Sequence, residues 1–141
     1  MTGSTMPERE RQDSPGPSTI EVLTVTAADH EGVSVLSATG EIDISNIGQI
    51  SDAISSLPGG GEGLIVDLTD VSYIDSTAVS LLHGLAMRLR QRAQRLVVVS
   101  PATSPPRRVL ELTALHVIAT LTQQLDEAIA MVRDDYGPGT R

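Results

Sequence analysis

Apolar residues in this chain fall into short runs of two kinds. Residues 21–27 (EVLTVTA) and 33–39 (VSVLSAT) are rich in β-branched side chains. Asp29, His30, Glu31 and Gly32 separate them, which predicts strand, turn and antiparallel strand. Ile47, Ile50, Ala53, Ile54 and Leu57 then recur at helical spacing behind Ser45 and Asn46, a helix with an N-cap. Pro58 and Gly59, Gly60 and Gly61 stop it. Residues 64–68 (LIVDL) form a short apolar run of the kind found in strands buried on both faces. A long helical pattern covers residues 76–92, and residues 96–99 (LVVV) are a second buried strand. Pro105 and Pro106 open a helix carrying Val109, Leu110 and Leu112. Residues 116–121 suit a last short strand, and residues 123–133 close with Leu125, Ile129 and Val132 at helical spacing. The order ββαβαβαβα predicts an α/β domain with a mainly parallel sheet, its first two strands antiparallel.

This domain spans residues 19–133. Residues 1–18 hold Pro, Gly, Ser and charge with hardly an apolar side chain, too little burial to offset ordering. They read as a disordered tail, within which Met6 is a second candidate start. Residues 134–141, with Gly137, Pro138 and Gly139, read as a flexible C-terminal tail. The total of 141 residues suits one domain.

Composition narrows the chemistry. Cysteine is absent, which removes disulfides, thiolate nucleophiles and thiolate metal sites. All 10 basic residues are Arg, so lysine-dependent phosphate loops, Schiff bases and kinase folds are excluded. Trp and Phe are missing and Tyr73 and Tyr136 are the only aromatics, a poor platform for stacking bases. A net charge of −8 repels nucleic-acid phosphates and anionic lipid. No run reaches the roughly 18 apolar residues of a membrane span, and the N-terminus has no signal-peptide core. A soluble, cytoplasmic protein is expected, without nucleic-acid or membrane partners.

The long helix is the most informative segment. At 100° per residue, Ala78, Leu81, Leu82, Leu85, Ala86 and Leu89 share the arc that faces the sheet. Ser76, Ser80, His83 and Met87 form a stripe on the opposite side. The stripe starts with a hydroxyl at the helix N-terminus, where free N–H groups and the dipole tolerate a phosphate. The plainer interpretation of Asp75, Ser76 and Thr77 is a helix cap, and spacing alone favours it. Met87 by itself is an ordinary surface methionine, and His83 sits two turns from Ser76, too far for a Ser–His couple.

Other constellations carry less. Gly59 to Gly63 precedes a strand and lacks Lys-Ser/Thr, so it is a turn and no phosphate loop. Asp67, Asp70 and Asp75 hint at Mg²⁺, but Asp67 lies in an apolar run and Asp70 reads as a turn residue. His30, His83 and His116 are scattered. No G-x-S-x-G motif is present. Arg88, Arg90, Arg92 and Arg95 complement a helix C-terminus. Arg107 and Arg108 have no such explanation and suggest a docking contact. Neither metal, cofactor nor catalytic machinery is indicated.

Two motifs do resemble a known family. Gly40-Glu41-Ile42-Asp43, and the run from Val66 to Thr77 (VDLTDVSYIDST), are similar to the STAS domain of bacterial anti-sigma factor antagonists. The likeness covers essentially residues 20–133, and the second motif is the specific one. It implies a small mixed sheet with helices packed on one face. It also implies that Ser76 is phosphorylated by a serine kinase that is itself the anti-sigma factor. The unphosphorylated form would bind that kinase and release the sigma factor, and a serine phosphatase would reset the switch. Asp43 would lie close to the phosphoacceptor. Asp43, Asp75, Thr77, Ser80, His83 and Met87 are then the candidate partner-binding residues. Ala78 departs from the family, which usually carries glycine there, and puts kinase recognition in question. The alternatives are a constitutively bound STAS subunit of a stressosome-like complex or a transport ATPase, and an enzyme or nucleotide-binding protein. With the long helix used for the core, a monomer is expected.

Overall fold

The computed structural model describes residues 22–30, 32–57 and 63–136. The N-terminal tail of residues 1–18, the helix stop at residues 58–62 and the end of the C-terminal tail lie outside them. Among the described residues the order is β1 (Thr24–His30), β2 (Val33–Ile42), α1 (Ile47–Ser55), β3 (Gly63–Ile74), α2 (Ser76–Gln91), β4 (Arg95–Val99), α3 (Pro105–Leu112), β5 (Thr120–Thr122) and α4 (Leu125–Tyr136). The strands make one sheet in the order β1-β2-β3-β4-β5. β1 and β2 are antiparallel, closed by a hairpin with Gly32 at φ +91°. The other three pairings are parallel.

Strand alternation divides the core in two. Leu36, Ala38, Leu64, Val66, Leu68, Leu96 and Val98 point to one face, where they meet Ile50 of α1, α2 along its length and Leu110 of α3. Val33, Val35, Ile65, Val97 and Val99 point to the other and pack against Ala128 and Val132 of α4. The α/β class and small mixed sheet are as expected. The single covered face holds only for α1, α2 and α3, because β2, β3 and β4 carry apolar residues at odd and even positions alike and both faces need a cover.

Three further differences have physical reasons. β3 runs to Ile74, well past Leu68, so Asp70 is a strand residue opposite Thr39 rather than a turn residue. β4 pairs only with residues 63–67 of β3. Beyond that point β3 has one neighbour and a wetter environment, so its sequence turns polar. Residues 115–117 form a 3₁₀ turn, which leaves only Thr120–Thr122 as strand. α4 continues through residues 134–136, into the segment expected to be tail.

Arg107, set beside Arg108 in the sequence as a candidate docking residue, has an internal role. Its Nη1 donates to the Ser100 carbonyl (2.5 Å) and the Thr122 carbonyl (3.3 Å), and its Nε to Glu111 Oε2 (3.0 Å). It therefore ties the ends of β4 and β5 to α3, beside the fully buried Ser100. Arg108 is exposed.

Gly40 sits at φ +109°, next to the register shifts between β2 and β3. A Cβ there would lie 2.7 Å from the Val22 carbonyl oxygen. Glycine is thus required on two counts, backbone conformation and close approach.

Two outcomes follow from these contacts. Arg107→Ala should lower unfolding stability by about 1.5–3 kcal/mol, the range for hydrogen bonds to a charged group, and Arg108→Ala by less than about 0.5, as read by urea titration. Gly40→Ala should cost about 1–3 kcal/mol by the same measurement.

Candidate functional site

The two motifs converge at the C-terminal ends of β2 and β3, where ligand and partner sites of open α/β sheets commonly form. β2 and β3 pair in parallel up to Ile42↔Ile74, so the chain leaves both strands side by side. Asp75 N donates to the Ile42 carbonyl at 3.2 Å and holds the two exits together.

Asp75 is the N-cap of α2, with extended backbone. Its Oδ1 accepts from Thr77 N (2.9 Å) and Ala78 N (3.2 Å), and from the Thr77 hydroxyl. Its Oδ2 accepts from Ile44 N at 3.0 Å, across to the loop after β2. The Thr77 hydroxyl is the main cause of a carboxyl pKa below the ordinary value; desolvation opposes it, and the Ala78, Ile44 and Thr77 N–H groups add to the lowering.

The loop from Asp43 to Asn46 is knitted by its own polar groups. Asp43 Oδ1 accepts from Ser45 N (2.9 Å) and Ser45 Oγ (2.5 Å). Asn46 Oδ1 accepts from Asp43 N (2.9 Å), and Asn46 Nδ2 donates to the Glu41 carbonyl (2.9 Å). The Asn46 side chain, expected to cap α1, is thereby committed to the loop, and α1 starts with Ile47 N on the Asp43 carbonyl (2.9 Å).

Within this frame Ser76 stands apart. It is exposed at the first position of α2, and its hydroxyl makes no hydrogen bond to any of the described residues. Asp43, Asp75, Ser76 and Thr77 are brought to one end of the sheet. Ser80, His83 and Met87 continue along the outer side of α2, one, two and three turns on. Ser80 and Met87 (48%) are exposed and His83 is half-buried. Met87 lies about 16 Å along the axis from Ser76. The opposite arc is buried as expected, with Val79 added and Leu81 only half-buried. Ala78 belongs to that arc: it is 3% exposed and its methyl faces the core.

Ile44 was not a candidate from sequence. It is 74% exposed on the loop that Asp75 anchors. Tyr73, at 50%, is a further exposed apolar residue at the end of β3. The available signal was an isoleucine inside a polar turn bounded by Asp43 and Asn46.

Chemically the site is an open surface on which the Ser76 hydroxyl is unengaged, at the end of the sheet that also carries Asp43 and Asp75. Among the described residues no group of three or more His, Cys, Asp or Glu is placed to hold a metal. A cleft of about 400 Å³ opens at the other end of α2, lined by Ile54, Leu57, Leu64, Leu89, Arg88 and Arg92, away from Ser76. No helix among the described residues is long and apolar enough to cross a membrane.

The chain as a whole is similar to known proteins. The chain is 31% identical over 112 residues to the anti-sigma-F factor antagonist RsfB of Mycobacterium tuberculosis, covering 79% of this chain and 90% of that one. The crystal structure of an anti-sigma factor antagonist from Mycobacterium paratuberculosis superposes with a TM-score of 0.72 at 30% identity, over 79% of this chain and 95% of the other. The Bacillus cell fate determinant SpoIIAA, solved in its phosphorylated form, gives 0.59 at 25% identity, over 78% and 100% of the two chains. The family model of the STAS domain matches residues 24–128, and the chain belongs to that family.

Proposed function

We propose that this protein is an anti-sigma factor antagonist, a binding module without catalysis of its own. In this reading Ser76 is the phosphoacceptor and a serine kinase that is also the anti-sigma factor is the partner. The unphosphorylated surface binds that kinase and frees the sigma factor; phosphorylation releases it, and a serine phosphatase restores the binding form. The observation that carries this is the division of labour at the start of α2. Asp75 and Thr77 are consumed by the cap, whereas the Ser76 hydroxyl is exposed and unengaged.

The same geometry supports a switch that acts at an interface. Asp75 already occupies the N–H groups of Thr77 and Ala78, so a phosphate on Ser76 would find those helix donors taken. Its charge would stay on the surface beside the Asp75 and Asp43 carboxylates, where it opposes docking by repulsion and desolvation. Ile44, Ser80, His83 and Met87 extend the docking surface on either side of Ser76. The inward methyl of Ala78 supports this reading, since it faces the core rather than the surface around Ser76. That relatives named anti-sigma factor antagonists match over most of the chain supports the same assignment.

Incubation of the full chain with host lysate and ATP should add one phosphate by intact-mass spectrometry, and Ser76→Ala should add none. Ser76→Asp should keep the wild-type unfolding midpoint and bind the anti-sigma factor at least about a hundredfold more weakly, the size of a few kcal/mol of like-charge cost. No phosphate, in a lysate that modifies another antagonist, would overturn the switch in favour of a constitutive STAS subunit.

Asp75 supplies a pH signature. Its folded pKa is depressed, so the stabilisation from its ionised form is complete above the unfolded value and is lost as pH falls through the lowered folded value. The stability difference between wild type and Asp75→Asn should therefore be constant above about pH 5 and shrink below about pH 4, in urea titrations at stepped pH. Asp75→Ala should cost about 0.5–2 kcal/mol at neutral pH by the same measurement.

A further inference from the structure

The two edges of the sheet are built differently. β5 is an edge of three residues, too short to offer much pairing. β1 is the other edge and runs for seven, Thr-Val-Thr-Ala-Ala-Asp-His, all exposed except the half-buried Val25. Its protection is slight: one carboxylate, Asp29, near its end, with no Lys or Arg, no Pro and no bulge. Its register with β2 is unbroken from Thr24↔Thr39 to His30↔Val33; the irregularities lie one strand further in, between β2 and β3. Along about 24 Å the outer N–H and C=O groups of β1 have no partner strand among the described residues.

We propose that β1 pairs antiparallel with β1 of a second copy of this chain, joining the two sheets into one. A two-fold axis perpendicular to the sheet keeps every residue on its own face. Facing residues must then share parity, and one residue must face its own copy. Centring on Ala27 is the register that pairs all seven positions. It sets Ala27 against Ala27, Thr26 against Ala28, Val25 against Asp29 and Thr24 against His30. No charge meets a like charge, and a small side chain sits on the axis. The chain's own N-terminal segment is a poor occupant of this edge. Residues 1–18 hold Pro, Gly, Ser and charge, a composition with low strand propensity.

In this arrangement the two Ser76 sites lie at opposite ends of the joined sheet and stay uncovered, so the inference is independent of the phosphoswitch. A single strand pair buries less than the roughly 1,200 Å² of a stable interface, so the association is weak. The monomer expected from the helix faces is then the dilute form.

Sedimentation velocity of the full chain from about 10 µM to about 1 mM, the range for so small an interface, should show the average mass rising from 14.9 kDa towards twice that. Amide exchange within Thr24–His30 should slow over the same range. Ala27→Lys and Ala27→Glu should each stay monomeric, because like charges would face each other about 5 Å apart. An equimolar mixture of the two should associate again. A constant monomer mass for wild type, dimers of either single variant, or no association in the mixture would each overturn the proposal. The wild-type mass and exchange data decide it even if a variant fails to fold.

Discussion

Asp75 joins two pieces of chain that are distant in sequence, residues 42–44 and the start of α2. One oxygen takes the first turn of α2, the other takes Ile44 from the loop after β2, and the backbone N–H of the same residue reaches the end of β2. A neutral acceptor could fill either one of the two carboxylate places. A carboxylate can accept at both oxygens, and its charge suits a helix N-terminus. The helix start and the Asp43–Asn46 loop are thus set against a common point, and the surface around Ser76 inherits its shape from it.

That point depends in turn on the sheet. β2 and β3 must end level for Ile42 to reach Asp75, although register shifts interrupt their pairing. The interruption falls next to Gly40, whose positive φ and contact with the Val22 carbonyl no other residue would suit. The glycine and the aspartate of the Gly40-Glu41-Ile42-Asp43 motif therefore do different work. One lets the strand pass under residues 22 and 23, and the other turns the chain into α1.

Much of this was legible in the sequence, for reasons that can be traced. α2 was readable because sixteen residues carry a strong helical period, and one clear period fixes both a buried arc and an exposed stripe. The second half of β3 was not, since pairing on one side alone leaves a polar pattern indistinguishable from a loop. The position of α4 was hidden for another reason. Its own sequence shows an apolar side but not which face of the sheet receives it; only the residues at both odd and even positions in β2, β3 and β4 carry that information. The internal role of Arg107 was not legible because its partners are carbonyls at two strand ends, and main-chain acceptors leave no trace in a sequence. Ser76 and Asp75 were legible together as a cap, and only the coordinates separate the residue that caps from the one that does not.

That separation bears on how long each form of the protein would last under the proposed switch. The Ser76 hydroxyl contributes no hydrogen bond to the described fold, so altering it leaves the balance between folded and unfolded chains nearly where it was. Proteases that cull unfolded chains would then remove marked and unmarked molecules at the same pace. Under the proposed switch, a signal written on such a hydroxyl would be erased by chemistry and diluted by growth, not shortened by turnover, and the molecule could be written on again.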